Sequence, residues 1–483
     1  MTFSSADLTA LLPLIVISAT AIVVMLVTAV RRSHAAAALI TLAGLAVAFV
    51  RLWPAASLVP RQVPPLLVID SYALFYIGLI LAAAFVVVIL SYGYFARQKE
   101  HPEELYILLL VAVLGAMVLV ASAHFVSFLL GLELLSIALY ALNAYLRERT
   151  LPLEAGIKYL ILAAASAAFL LFGMALIYAE LGTMEFSRIA TLVSSGAEVS
   201  RPILLAGVAL LITGFGFKLA LVPFHLWTPD IYEGAPAPVT AFVATVSKGA
   251  MFALLLRYFY STAMARRYEP IFAILVILAV ASMIAGNVLA LMQNNVKRIL
   301  AYSSIAHMGY VLVAFLASGS MGAQAVTFYL VAYFITTLGA FGVVTVLSPS
   351  DRDADQLDDY RGLFWKRPVL GSIFTLMLLS LAGIPATAGF FAKFYIVAAG
   401  ASAAIWGLII LLVLTSVVGL YYYLRVVVAV FSAPIEKPVG LNPSLQLASG
   451  AVLGVLGVLL VWLGVYPSYI LGVVSTAVKS LTP

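Results

Sequence analysis

The 483-residue sequence contains no cysteine. Disulfides, thiolate-held iron–sulfur clusters and haem attached through a Cys-x-x-Cys-His motif are therefore excluded. Only five histidines occur, and of these only His124, His225 and His307 lie in or beside apolar runs. Paired imidazole ligation of a membrane haem is not expected, and the chain is read as carrying no cofactor or metal of its own. Charge is scarce too: 10% of residues are Asp, Glu, Lys or Arg, against roughly 25% in soluble domains. What fills the chain instead is hydrocarbon, with 64% hydrophobic residues and a mean hydropathy of +1.15. This composition describes an integral membrane protein with no room for a large soluble domain. The net charge of +6 fits membrane orientation better than nucleic-acid binding.

Apolar runs punctuated by Pro, Gly and charge clusters predict an all-α polytopic fold of about fourteen transmembrane helices. They fall near 8–30, 35–53, 70–95, 104–122, 124–146, 154–180, 201–222, 238–260, 270–292, 298–318, 323–348, 368–400, 404–431 and 445–478. The seventh continues past Pro223 into a short amphipathic piece ending near Tyr232. The first lacks a basic leader and is too long for a signal-peptide core, so it reads as a retained span. An even number of spans puts both termini on one face. The opposite loops hold 14 basic residues, Lys99 and Lys437 among them, and the terminal face holds 8. The positive-inside rule then places both termini on the periplasmic side of a bacterial inner membrane.

Two spans are interrupted in mid-run, GFKLALVPFHLWTPD around Pro223 and LAGIPATAGFFAKFY around Pro385, 162 residues apart. Paired broken helices point to a transporter built from inverted repeats. Spans 4–8 and 9–13 read as two five-helix units, the odd count inverting the second. The domain reading is three N-terminal helices (1–103), a first repeat (104–262), a second (263–432) and a C-terminal helix (433–483). Proline removes a helical hydrogen bond, and the carbonyls it leaves are expected to bind water or a cation.

Glu133, Lys158, Lys218, Lys248 and Lys393 lie inside these apolar stretches, where an ionisable group is expensive and by default functional. A buried lysine whose hydration or carboxylate partner changes can load and release a proton, and Glu133 is a candidate partner. The competing reading is a static buried ion pair. Lys158 is also explained by pairing with Glu154 at i−4 and snorkelling. His225, just after the first break, is placed to relay protons between Lys218 and Lys248, or simply to bond freed carbonyls. His307, in YSSIAHMGY, belongs either to a hydrated path or to a satisfied interhelical network. Asp70 reads as an N-cap, His124 as an interface residue, and Lys297 with Arg298 as a cytoplasmic anchor. Arg425 reads as snorkelling to the surface or ending an ion path. The acidic run DRDADQLDD (351–359) reads as a solvated loop or a docking edge.

VPFHLWTPDIYEGAPAPVTAF (222–242), NNVKRILAYSSIAHMGY (294–310) and SLAGIPATAGFFAKFY (380–395) resemble the subunit N family of bacterial proton-pumping NADH:quinone oxidoreductase, respiratory complex I. Length and span pattern agree along nearly the whole chain. The resemblance implies that Glu133, Lys218, Lys248 and Lys393 are proton-path residues, with His225 connecting them and Glu133 pairing with Lys218. It also implies that NADH, FMN, iron–sulfur clusters and quinone are handled by partner subunits, including a neighbouring antiporter-like subunit and small membrane subunits. A stand-alone or multisubunit cation/proton antiporter subunit is the alternative. A structural membrane anchor with static charge pairs is a third possibility.

Overall fold

The computed structural model describes residues 4–98, 101–195, 200–434 and 443–481; Lys99 and Lys437 lie outside the described residues. Among the described residues thirteen helices are long and apolar enough to cross a membrane, and a broken pair supplies the remaining crossing. In chain order they are α1 (Ser5–Val30), α2 (His34–Val50), α3 (Ser71–Phe95), α4 (Glu103–Ala121), α5 (Phe125–Asn143), α6 (Thr150–Leu181) and α7 (Arg201–Leu219). There follow α8 (Ala237–Thr262), α9 (Glu269–Leu291), α10 (Val296–Ala317) and α11 (Gly319–Leu347). The broken crossing is α12 (Pro368–Ala382) with α13 (Ala388–Ser402), after which come α14 (Trp406–Phe431) and α15 (Pro443–Val465). The expectation of about fourteen spans is met, with the interrupted twelfth accounting for the difference.

Burial sorts the helices into two classes. The apolar stretches of α8, α10 and α11 are almost wholly enclosed by protein, whereas α1, α2, α6 and α14 turn most of their surface outward. With no hydrophobic force between helices in lipid, close approach and polar contacts decide the packing. A Cβ on Gly115 of α4 would meet the Leu135 backbone nitrogen of α5 at 2.5 Å, and one on Gly286 of α9 would meet that of Ala306 in α10 at 2.6 Å. Hydrogen on those carbons is what lets each pair of helices touch along its length.

Both breaks share one construction. Helix α7 ends with Ala220 in the left-handed region (φ 60°); Leu221 N donates to Gly216 O at 2.8 Å and Ala220 N to Phe217 O at 2.9 Å. Helix α12 ends with Gly383 (φ 87°), and Ile384 N donates to Leu379 O at 3.0 Å with Gly383 N on Ser380 O at 3.0 Å. These are paired 6→1 and 5→2 Schellman closures. Each helix stops before its proline is reached, so the proline prevents resumption rather than causing the stop. One terminal carbonyl of α7 also has a side-chain donor: Trp227 Nε1 donates to Phe217 O at 2.8 Å.

Several pieces were not foreseen. An antiparallel hairpin pairs β1 (Arg61–Val63) with β2 (Leu67–Ile69), Arg61 opposite Ile69. A short helix, Phe186–Ser195, joins α6 to α7, and the region expected as one last span divides into α15 and a separate helix, Ser468–Val478. Within α8, residues Val243–Ser247 form a π turn immediately before Lys248.

Candidate proton-path site

Lys218 sits in the last turn of α7, only 3% exposed. Its Nζ donates to Ser136 Oγ of α5 at 2.9 Å and to Tyr159 OH of α6 at 2.9 Å, and lies 5.4 Å from the Tyr159 ring centre. Glu133 is one turn before Ser136 on α5 and only half-buried. Its charge reaches Lys218, but among the described residues the two form no ion pair within 4.0 Å. The expected contact is open in this structure.

The next hydroxyl beyond Tyr159 is that of Ser247, the residue before Lys248, and among the described residues no hydrogen bond joins the two. Lys248, 1% exposed, donates to Ser304 Oγ of α10 at 2.6 Å. Tyr333 OH of α11 donates to the same oxygen at 2.6 Å. One turn further along α10, His307 bonds Tyr329 OH through Nδ1 at 2.7 Å and Tyr423 OH through Nε2 at 3.1 Å. Tyr423 also bonds Ser303. His307, Tyr329, Tyr333, Thr336, Ser380 and Lys393 line a small cavity with room for about one water. Across it, Lys393 Nζ donates to Leu381 O at 3.0 Å, Ala382 O at 2.9 Å and Ser416 Oγ at 2.6 Å. The charges of Lys248 and Lys393 both reach the His307 ring.

Five of the seven candidate residues thus fall on one line, Glu133, Lys218, Lys248, His307 and Lys393. The other two stand apart. His225 lies in the α7 break; among the described residues it bonds neither lysine and its buried Nδ1 has no hydrogen-bond partner. Lys158 reaches the end of α6, its side chain 41% exposed, bonded to Glu154 at 2.6 Å and Asp230 at 2.7 Å. Ser304 belongs to the polar helix face of Tyr302, Ser303 and Ser304 that the sequence already gives His307, whereas the connecting hydroxyls of Ser136, Tyr159, Tyr329, Tyr333 and Ser416 escaped sequence reasoning. A weak signal existed for one of them, since Ser136 is i+3 from Glu133, one turn away on the same helix face.

At one end of the bundle a charged network fastens the helix Trp227–Gly234 that follows the first break. Arg298 bonds Asp230 at 3.1 Å and Glu233 at 2.6 Å. Lys297 is not a surface anchor: it is fully buried and donates to Glu233 O at 2.8 Å, Ala235 O at 2.7 Å and Asp353 at 2.5 Å. The acidic run is accordingly folded onto the bundle rather than wholly solvated. Tyr94 OH donates to Asp353 at 2.6 Å, Asn295 donates to Asp355 at 2.6 Å, and the hydrogen bonds Arg352 donates to the Asp359 carboxylate keep its guanidinium above its ordinary pKa. Arg425 bonds the terminal carbonyls of Leu291 and Gln293 below α9, a C-terminal cap. Asp70 is the expected N-cap, accepting Ala73 N at 2.7 Å. It is also half of a buried bidentate pair with Arg257, at 2.9 and 2.8 Å.

The family model described as NADH:quinone oxidoreductase/Mrp antiporter, TM, matches residues 122–419, the segment that holds every residue of this line except Tyr423. The chain belongs to this family. Its similarity is strong to NADH-quinone oxidoreductase subunit N of Nitrosospira multiformis, 52% identical over 497 aligned positions covering 99% of this chain and 98% of the relative. Among solved structures, a chain of respiratory complex I from Thermus thermophilus superimposes with a TM-score of 0.82 at 36% identity, covering 96% of this chain and 99% of that one. A chain of the Mrp complex from Dietzia sp. DQ12-45-1b gives 0.84 at 19% identity, covering 98% and 97%; at that identity the likeness concerns the fold alone. The family is multi-pass and membrane-embedded, as the helices here require.

Proposed function

We propose that this chain is the antiporter-like subunit N of an NADH:quinone oxidoreductase and translocates protons along the line from Glu133 to Lys393. The observation that carries the reading is the placement of that line. It passes from the half-buried Glu133 through the most enclosed helices, with hydroxyls between successive titratable groups. Enclosed polar groups are retained in a membrane where they handle ions or protons.

Each group has a role that its surroundings support. Lys218 is the loading group, held by two neutral hydroxyls while Glu133 stands off. A unit-charge pair closed to 4 Å at an effective dielectric near 20 attracts by about 4 kcal/mol. Closing and opening that gap is enough to decide whether the amine keeps its proton. Tyr159 and Ser247 pass the proton to Lys248, and Ser304 connects Lys248 towards His307. Lys393 receives it on the far side of the cavity, where the α12 carbonyls and the negative end of the helix favour an ammonium. The two Schellman breaks support a division into repeats at 104–262 and 263–432. The 14-to-8 basic bias supports periplasmic termini in a bacterial inner membrane. Electron transfer from NADH through FMN and iron–sulfur clusters to quinone falls to partner subunits, and those reactions drive the closing of Glu133 on Lys218.

The experiment is native purification followed by assay in membrane vesicles. Flavin and iron–sulfur proteins should co-purify, and Lys218→Ala should lower proton pumping per NADH oxidised in an assembled complex. Unchanged pumping in such a complex would refute the proton path. Sodium- or potassium-driven proton exchange by the chain alone would replace the reading with a secondary antiporter.

A further inference from the structure

A groove runs between residues 52–59 that follow α2, the start of α3 and the helix Ser468–Val478. Its walls include Leu52, Trp53, Leu74, Phe75, Tyr469 and Val473, and its volume is about 740 Å³, within the ~300–1,000 Å³ of small-molecule sites. We propose that this groove binds one acyl chain of an anionic phospholipid whose phosphate sits between Arg51 and Lys479.

Three observations point to that occupant. The groove opens beside Trp53 and Tyr469, which are 78% and 65% exposed; aromatic side chains of this kind sit at headgroup level. Its floor is apolar and its few polar atoms, on Ser71, Ser468 and Thr476, are neutral, which suits hydrocarbon better than a charged peptide. Two uncompensated basic residues flank the lining in sequence. Arg51 directly precedes Leu52, and Lys479 follows Ala477 by two residues. Both are exposed, and among the described residues neither forms an ion pair. The other charges of this corner are already matched, Arg61 with Asp7 at 2.6 Å and Asp70 with Arg257 at 2.8 Å. Exposed cations adjoining the residues of an apolar slot are complementary to a phosphate bearing an acyl chain, and basic residues near a bilayer favour anionic lipid.

The floor is a firm one. Ser480 Oγ accepts from Tyr72 N at 3.3 Å, and Val474 and Val478 are fully buried against the bundle. The terminal helix therefore lies in a fixed position with its opposite face, Tyr469, Gly472, Val473 and Thr476, lining the slot. Gly472 provides a clean handle, because a Cβ added there meets no atom within 4 Å.

The test uses the purified assembled complex in phosphatidylcholine vesicles with phosphatidylglycerol added, each lipid in turn carrying a photoreactive group on its acyl chain. Cross-linked peptides spanning residues 51–56 and 468–477 are quantified by mass spectrometry. The phosphatidylglycerol probe should label them preferentially, and Arg51→Gln with Lys479→Gln should reduce that labelling at least about fivefold without lowering labelling by phosphatidylcholine. Gly472→Phe should fill the slot and suppress labelling by both lipids while NADH oxidation shows the complex intact. Equal labelling by the two lipids, insensitive to the charge changes, would overturn the proposal in favour of a slot wetted by bulk lipid. Absence of lipid labelling in the unaltered complex would overturn it in favour of coverage by a neighbouring protein.

Discussion

The two broken helices close in the same way but hold their lysines by opposite means. Lys218 lies before its break, on the helix that is ending, and its amine turns sideways to hydroxyls on two other helices with a carboxylate standing off. Lys393 lies after its break and reaches back to the carbonyls the break itself exposes. The first arrangement depends on neighbours that can move relative to one another. The second depends on backbone dipoles fixed by one chain segment. The difference suits a path whose first group must change its affinity and whose last must keep a stable landing place.

The sharpest way to break that contrast is to remove the lysines. Lys218→Ala should reduce proton flux through this chain by at least about tenfold, a barrier change near 1.4 kcal/mol, measured as pumping per NADH oxidised in vesicles. Lys393→Ala should do the same, but Lys393→Arg should retain partial function. A guanidinium can donate to the same carbonyls, whereas Lys218→Arg has no room among enclosed aromatic rings. Equal behaviour of the two arginine variants would erase the distinction between the sites.

Next in size are effects at the breaks. Gly383→Ala forces a side chain into φ 87°, with its Cβ 2.9 Å from Lys393 Cδ. Left-handed backbone and that contact together should destabilise by about 1–3 kcal/mol. Ala220 already occupies that region at φ 60°, so Ala220→Gly should be neutral or stabilising by up to about 1 kcal/mol. Thermal inactivation of the solubilised complex should show the midpoint falling for Gly383→Ala and unchanged or rising for Ala220→Gly, and a fall in both would contradict the matching Schellman assignment.

Smaller effects test the electrostatic half of the comparison. Glu133→Gln should lower pumping severalfold through Lys218, and Lys393 should be indifferent to it. In the double variant with Lys218→Ala, the loss should not add, because both changes act on one step. Tyr159→Phe removes a hydrogen bond from a charged donor, on the order of 1.5–3 kcal/mol, and Ser416→Ala removes one of three donated by Lys393. Pumping in Tyr159→Phe should fall further than in Ser416→Ala, which keeps the two backbone acceptors.

How much of this was legible depends on what kind of interaction was involved. The spans were legible because hydrocarbon thickness imposes about twenty apolar residues on each, and the breaks because Gly and Pro interrupt such runs visibly. Lys218, Lys248 and Lys393 stood out because a charge in an apolar run is conspicuous. Tyrosine is not conspicuous there, so Tyr159, Tyr329 and Tyr333 gave no warning that they join the lysines. Asp70 and Arg257 are 187 positions apart, and nothing local to either announces the other. Lys297 was misread because a basic residue ending a helix beside QNN looks like a surface anchor, whereas it opens α10. Only the folding-back of the acidic run, through Asp353, shows why it is buried. The helix Phe186–Ser195 was passed over because its polar residues resemble loop, although its buried face of Phe186, Ile189 and Val193 repeats at helical spacing.

The π turn at Val243–Ser247 adds a consequence of its own. Such a turn accommodates one residue more than an α-helix needs, so α8 carries a spare unit of backbone inside the most enclosed part of the molecule. Passing the wide turn along by a single position would leave both flanks helical yet swing the neighbouring side chain through about 100°. Lys248, the first residue beyond it, is where that swing would be felt. The segment with the least freedom to tilt or slide therefore contains a place where it can change phase, as a screw thread does when one turn is skipped.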